Sequence, residues 1–325
     1  CMACVKLGCE LFPGKACAGE TVAVPIGISP DYFRGNDRVC FTYDREDLPA
    51  LLPKRKPDSH KGTYGRALMI TGSPGMAGAS CLSAAAAYVV GAGLVQVYTA
   101  EENRVILQES LPEAVISCYN EYNESEHKRL MEQAAVICIG CGLGRSGLSE
   151  QLLVNTLKYL KENEKPCVID ADGLNLLSGH MNLLKELSGR ETPVILTPHM
   201  KEMSRLTKES IEGIIDSRFE ILDRFVREFP AVCVLKDSRT AAAQSGRPVF
   251  VNLAGNSAMA KAGSGDVLAG VITGLAAQGM DAFASASAGV FLHACGGDAA
   301  RDHKGSYSVL ARDLISGIGE CMADA

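Results

Sequence analysis

From about residue 65 onward, short continuous apolar runs alternate with longer stretches in which apolar positions recur every three or four residues. The runs at 66–72, 94–100, 135–140, 166–171, 193–198, 231–236 and 248–252 predict strands. Between them the segments 77–91, 126–133, 147–163, 173–187, 200–207 and 210–228 predict helices, and after residue 264 the pattern becomes helical. Strands without strict alternation of apolar and polar positions belong to sheets buried on both faces. Strands spaced by helices belong to βαβ crossovers, which make parallel sheets. The expected fold class is therefore α/β, a three-layer sandwich with a mainly parallel central sheet. In such sheets ligands bind beyond the carboxyl ends of the strands.

The first 60 or so residues read differently, being rich in Pro, Gly and charge with two short strand-like runs. They predict an extended appendage that packs on the main domain, or on a neighbour, through TVAVPIGI (21–28), with a linker at 44–59. No active site of its own is expected there, and its removal is expected to leave activity intact. The opening Cys1 in place of an initiator methionine suggests a cut fragment.

Composition narrows the partners. With 325 residues, 47% of them hydrophobic, the chain can build one large core or two ordinary ones. The net charge of −6 comes from 32 basic and 38 acidic residues, well interspersed, without a basic stripe. Nucleic acid and anionic membranes are thus not expected as partners. The apolar runs are cut by Gly, Ser and Gln before reaching the roughly 18 residues a membrane span needs, and no signal peptide precedes them. The 13 cysteines are odd in number and mostly embedded in apolar runs, as in a reduced, cytoplasmic protein. Cys138 and Cys141 form a C-x-x-C inside a buried run and read as packing, not as half of a zinc site.

Three glycine-rich stretches carry the chemistry. TGSPGMAGAS (71–80) and GCGLGRS (140–146) each follow a strand, and AGSGDVLAG (262–270) opens a long apolar helix. Glycine at a helix start lets a phosphate approach unpaired N–H groups at the positive end of the helix dipole. None has the Gly-Lys-Ser/Thr ending of a Walker A loop, and the glycines of GCGLGRS are out of step with a dinucleotide fingerprint. Asp266 then poses a question, because a carboxylate at an anion site repels the anion. It reads either as a helix-dipole partner worth 0.3–1 kcal/mol or as a general base that takes a proton from the acceptor of a transferred phosphoryl group. Beside it, His199 reads as a capping or core imidazole or as a ligand contact. Glu202 reads as a capping box with Thr197 or Pro198 or as a functional carboxylate. Lys236 closes a strand, and Asp170 and Asp172 read as caps or as metal or substrate ligands.

As a set, HKGTYGRALMITGS (60–73), MAGA (76–79), GAGLVQVYT (91–99), GCGLG (140–144), DADGLNLL (170–177), LTPHMKEMSRL (196–206), VLKDSRT (234–240) and AMAKAGSGDVLAG (258–270) resemble, in order, the ADP-dependent NAD(P)H-hydrate dehydratases of the ribokinase-like fold. The resemblance covers residues 45–325, and residues 1–44 resemble the tail of an NAD(P)H-hydrate epimerase domain plus a linker. It implies repair of the S-form of NADH hydrate and NADPH hydrate, with ADP or ATP as phosphoryl donor, Mg²⁺ as cofactor, and a homo-oligomer, a tetramer. Ala79, Gly142, Gly144, His199 and Asp266 would line the substrate site, with Asp266 catalytic. Lys236, Asp237, Ser238, Arg239, Thr240, Gly263, Ser264 and Gly265 would hold the nucleotide, and Glu202 would order the metal through water. The family's Lys-Gly is Lys236-Asp237 here, a Gly before the Glu is absent at Met200-Lys201, and Ser264 replaces a common Thr. A small-molecule kinase of the same fold, or a non-catalytic nucleotide-binding module, are the alternative readings.

Overall fold

The structure, a computed structural model, describes residues 1–33, 36 and 39–323. Its centre is a nine-stranded sheet: β1 (Arg66–Ile70), β2 (Leu94–Ala100), β3 (Val115–Tyr119), β4 (Val136–Ile139), β5 (Cys167–Ile169), β6 (Val194–Leu196), β7 (Ala231–Leu235), β8 (Ala241–Ala243) and β9 (Phe250–Val251). Their order across the sheet is β3-β2-β1-β4-β5-β6-β7-β8-β9. β1 to β7 run parallel, β8 pairs antiparallel with β7, and β9 pairs antiparallel with β8.

Consecutive strand residues face opposite layers, and both layers are apolar. Ala67, Met69, Val136 and Cys138 join one core, while Leu68, Ile70, Ile137 and Ile139 join the other. The appendage carries α1 (Leu7–Glu10) and α2 (Gly14–Ala18), followed by α3 (Leu48–Leu51). The remaining helices are α4 (Ala77–Val89), α5 (Arg104–Ser110), α6 (Glu124–Gln133), α7 (Gly147–Glu162), α8 (Asp172–Leu177), α9 (Met181–Lys185), α10 (Met200–Thr207), α11 (Ile211–Asp216), α12 (Arg218–Glu228), α13 (Ser264–Ala277), α14 (Ala282–Ser308) and α15 (Ala311–Ala323). Residues of α4, α13, α14 and α15 fill the first core, and those of α6 to α12 fill the second. This is the expected three-layer α/β sandwich.

Helices α4 and α13 approach closely because α13 carries Gly270 and Gly274 on the contact. A Cβ on either would lie 2.1 Å from the Ser83 carbonyl oxygen or 2.5 Å from that of Ala87. Glycine costs about 1 kcal/mol relative to Ala in a helix, and here the close packing sets the start of α13 beside the start of α4.

Several elements differ from expectation. β3, β8 and α5 were not predicted. The helix expected at 173–187 is two, α8 and α9, with Ser178 capping the first. The one expected at 210–228 breaks at Ser217, whose φ of −128° is not helical. The expected linker at 44–59 includes α3, with Leu48 buried. Just ahead of it, Phe41 and Tyr43 pack at tilted and edge-on angles against Phe250, Phe283 and Phe291. Val22, Val24, Ile26 and Ile28 remain exposed, so the appendage meets the main domain elsewhere. No helix among the described residues is long and apolar enough to cross a membrane.

Candidate active site

The chain leaves β1 toward β2 and β3 on one side, then returns to β4 on the other. A crevice forms beyond the strand ends at such a reversal, and the loops after β1 and β4 meet there. The N–H groups of Gly72 and Ser73 donate to the carbonyls of Cys141 and Gly142 at 3.0 and 2.6 Å. Gly142 has a φ of +58°, and a Cβ on it would lie 2.7 Å from the Cβ of Ala79. Only glycine fits this position. Asp172 fixes the far end of the loop by accepting from the Gly144 N–H at 2.9 Å.

The next three strands end in polar residues that converge. Asp170 follows β5 and is almost fully buried. Its Oδ1 accepts from the Thr197 hydroxyl, after β6, and from the Lys236 ammonium, after β7, both at 2.7 Å. The Cys141 thiol lies 3.7 Å from Oδ2. Asp266, in the first turn of α13, completes the group, with the ligand atoms of Cys141, Asp170 and Asp266 all within 4.8 Å of one another. Ala171, between Asp170 and Asp172, has a φ of +48°, a strained value for a residue with a Cβ.

Electrostatics follow from this crowding. Burial, reinforced by the neighbouring Asp170 carboxylate, raises the Asp266 pKa from 3.8 to about 6, against the opposing effects of the Cys141 thiol and Lys236. Burial also raises Glu202 to about 7 although Lys236 opposes it. For Lys236, burial works against the charge, but the Asp170 and Glu202 carboxylates prevail and its pKa rises. Burial and the Lys236 charge lower His199. The site thus holds a carboxylate that titrates near neutrality beside a permanently charged lysine, the pattern of a general base.

His199 caps α10. Its Nδ1 accepts from the N–H groups of Lys201 and Glu202, while Oε2 of Glu202 accepts from the His199 N–H. Glu202 therefore does form a capping box, but with His199 and not with Thr197 or Pro198. A histidine with both N–H acceptances on Nδ1 carries its proton on Nε2, which lies 3.3 Å from Oε1 of Glu202. Half of the His199 ring stays exposed, and its backbone pairs with that of Lys236.

On the other side of Lys236 lies a cavity of about 580 Å³, lined by Lys236, Asp237, Ser238, Arg239, Thr240, Ser264 and Gly265 together with Asn256, Met259, Leu268, Val290, His293 and Phe12. A Cβ on Gly265 would stand at ordinary contact distance, 3.4 Å from the Lys236 ammonium and 3.9 Å from Asp170, so the glycine leaves the space above the pair open. Gly263, expected with them, precedes α13 with a φ of +90°, faces Leu82 and Ala311, and is not among the residues lining the cavity. The first N–H groups of α13 have no intrahelical acceptors; that of Ser264 donates to the Lys261 carbonyl at 3.3 Å, and Ser264 and Gly265 line the cavity. Asp237 turns its carboxylate to Arg218 of α12 at 3.0 Å. The Arg239 guanidinium already donates to the carbonyls of Glu10 and Leu253.

The structure thus gathers the expected residues into two adjoining halves. Ala79, Gly142 and Gly144 lie around the crevice, the five residues 236–240 with Ser264 and Gly265 line the cavity, and Asp266 sits where the halves meet. Sequence reading missed Cys141 and Thr197 as parts of the charged cluster, Arg218 as the partner of Asp237, and Phe12 in the cavity wall. Cys138, Cys141 and Cys295 are buried in one core and Cys167 and Cys233 in the other, where they pack as small apolar side chains.

Comparison with known proteins points to one family. The family described as NAD(P)H-hydrate dehydratase matches residues 67–319. The bifunctional NAD(P)H-hydrate repair enzyme Nnr of Moorella thermoacetica is 36% identical over 323 residues, covering 95% of this chain and 59% of its own length. The ADP-dependent (S)-NAD(P)H-hydrate dehydratase of Neisseria meningitidis is 35% identical, covering 83% of this chain and 87% of its own. The ADP/ATP-dependent NAD(P)H-hydrate dehydratase of Bacillus subtilis, crystallised with ATP and Mg²⁺, superposes with a TM-score of 0.77 at 30% identity, over 88% of this chain and 99% of that one. The chain spans about three fifths of the length of the bifunctional relatives it matches.

Proposed function

This chain belongs to the NAD(P)H-hydrate dehydratase family, with a ribokinase-like sheet, and from that premise we propose that it dehydrates the S-form of NADH hydrate and NADPH hydrate at the expense of ADP. The observation that carries the proposal is the position of Asp266. It stands between a glycine-lined crevice and a nucleotide-sized cavity, in the first turn of α13, with a pKa raised to about 6.

Hydroxide leaves a reduced nicotinamide ring poorly, and phosphate leaves well. Asp266 takes the proton from the ring hydroxyl as that oxygen attacks the terminal phosphorus of ADP. The bond from that phosphorus to AMP breaks, and a phosphate ester forms on the ring. The nitrogen lone pair then expels phosphate, and the adjoining ring carbon gives up a proton to restore the double bond. NADH or NADPH, AMP and phosphate result. The carboxylate belongs on the acceptor side, which resolves why a negative charge stands at an anion site. The N–H groups at the start of α13 and the Lys236 ammonium hold the phosphoryl group, and the backbone of 236–240 holds the rest of the nucleotide. Ala79, Gly142, Gly144 and His199 bound the space for the ring.

Mg²⁺ favours oxygen ligands and keeps several waters. Both Glu202 oxygens face His199 and the carboxylate is buried, so this side chain fits a hold through water and not direct ligation. Bound there, the ion would neutralise charge on the nucleotide phosphates.

Residues 45–325 form the dehydratase domain in this proposal, and residues 1–44 the tail of an epimerase-like domain with its linker. The longer alignment with the bifunctional relative than with the Neisseria dehydratase supports that division. A homo-oligomer, and a tetramer in particular, is part of the same proposal.

The test is turnover of enzymatically prepared NADH hydrate with ADP and Mg²⁺, followed by NADH absorbance and free phosphate together. Equimolar NADH and phosphate support the proposal. Phosphate that stays on an acceptor would indicate a kinase instead.

A further inference from the structure

We propose that the appendage completes the nucleotide site, with Phe12 as the wall against which the purine ring of the adenine nucleotide packs. This rests on the dehydratase reading of the cavity and adds a residue from outside the domain to which that reading assigns it.

The cavity lining divides by chemistry. Lys236 to Thr240, Ser264 and Gly265 offer charge and backbone groups suited to phosphates and ribose, while Met259, Leu268, Val290 and Ala294 offer apolar surface suited to a base. Phe12 is the one Phe, Tyr or Trp among the lining residues. Its side chain is 48% exposed, and among the described residues its ring pairs with no other aromatic ring. A flat apolar face left open at the mouth of a cavity has area to gain from a flat ligand.

The appendage is also anchored where such a role requires. Glu10 is buried, and its carbonyl accepts from Nε of Arg239 at 3.2 Å. Its carboxylate lies 3.9 Å from the same guanidinium and 3.0 Å from the Lys15 ammonium. Arg239 belongs to the turn whose other members, Lys236, Asp237, Ser238 and Thr240, line the same cavity. Arg239, which ties α1 to the main domain through Glu10, thus sits in the phosphate-side turn, and Glu10 lies two positions along the chain from Phe12. In the TVAVPIGI segment Val22, Val24, Ile26 and Ile28 stay exposed.

The test uses the full chain and calorimetric titration with ADP and Mg²⁺ of the unsubstituted protein, Phe12→Ala and Phe12→Tyr. The expected result is a Kd for ADP raised about 5–10-fold in Phe12→Ala, the low end for an aromatic ring stacked on a base because much of Phe12 is already free. Phe12→Tyr should bind within about twofold of the unsubstituted chain, since only the ring is needed. ADP binding by Phe12→Ala within that same twofold overturns the proposal while leaving the dehydratase reading intact. An equal loss in Phe12→Tyr also overturns it, by showing a general disturbance of the appendage. Failure of the unsubstituted chain to bind ADP removes the nucleotide reading itself.

Discussion

The Lys236 ammonium lies 2.7 Å from the Asp170 carboxylate, and the two residues end adjacent turns on opposite sides of β6 while standing 66 positions apart in sequence. Asp170 is 1% exposed, and among the described residues its carboxylate has Thr197 and Cys141 as further hydrogen-bond partners. Removing one member of a buried ion pair leaves an uncompensated charge, typically at a cost of about 3–5 kcal/mol, whereas removing both is far milder. Lys236→Met should therefore lower the urea-unfolding free energy by about that amount. The double substitution Lys236→Met with Asp170→Asn should recover most of it, although ADP binding stays lost in both. Equal destabilisation of the single and double variants would show that the pair is not coupled.

A different signature is expected at Gly142. Its φ of +58° and the 2.7 Å approach to Ala79 leave no room for a methyl group, so Gly142→Ala must move the loop that faces the ring of the hydrate. KM for NADH hydrate should rise at least tenfold, a backbone strain of about 1–3 kcal/mol acting on one side of the site. Calorimetric ADP affinity should change little because the nucleotide cavity lies on the other side of Lys236. A parallel loss of ADP affinity would show that the two halves do not move independently.

These contacts also mark how far the sequence was legible. The parallel strands were readable because each is a continuous apolar run, and the site loops because glycine clusters follow those runs. β8 was not readable, since Ala241–Ala243 is a run of a helix former held in a sheet only by pairing with β7. β3 was hidden as well, because its residues Val115–Cys118 are only partly covered at the sheet edge. The helices that split at Ser178 and Ser217 kept their apolar period across the break, and periodicity alone does not register a change of direction. Capping was among the readings of His199, but the Glu202 capping box was placed with Thr197 or Pro198, because box partners are sought among Ser, Thr, Asp and Asn and not among His. Asp170 with Lys236, and Glu10 with Arg239, meet only through the topology. No local pattern predicts a partner 66 or 229 positions away.

Arg218 offers a test of the Lys236-Asp237 departure from the family's Lys-Gly. It is 6% exposed and holds the Asp237 carboxylate at 3.0 Å. Arg218→Ala releases that negative charge beside the nucleotide phosphates, so the Kd for ADP should rise several-fold, consistent with about 1 kcal/mol of repulsion in a partly solvated site. Adding Asp237→Gly to Arg218→Ala should restore affinity. If affinity does not recover, Arg218 acts on the turn through packing and not through the charge of Asp237.

The pH dependence should follow Asp266. A general base works only when unprotonated, so kcat/KM should fall as pH drops through about 6, two units above the ordinary aspartate value of 3.8. Glu202, raised to about 7 by burial, titrates in the neighbouring range. The control is therefore Glu202→Gln, which should keep the acid limb even with reduced activity. An acid limb that disappears in Glu202→Gln would transfer the base to that residue.

Asp266→Asn tests the base assignment on two axes at once. Loss of a general base typically slows a reaction 10²–10⁴-fold, about 3–5 kcal/mol of barrier, while ADP affinity should hold or improve because a negative charge near the phosphates is gone. Stability should move the other way. Burial first, and Asp170 next, raise the Asp266 pKa to about 6 from 3.8, so the folded chain binds this proton more tightly than the unfolded chain. Such a group contributes its stability fully below pH 3.8 and loses it as pH rises through about 6, leaving a cost of up to about 3 kcal/mol above that. Asparagine carries no charge at any of these values. The variant should thus melt higher than the unsubstituted protein at pH 8, and the difference should shrink as the pH is lowered through 6 toward 4. A side chain that served only the helix dipole would give the reverse, with nearly normal turnover and a loss of 0.3–1 kcal/mol on substitution at neutral pH. Turnover within threefold of the unsubstituted protein, or a melting temperature at pH 8 below it, would count against Asp266 as the buried base.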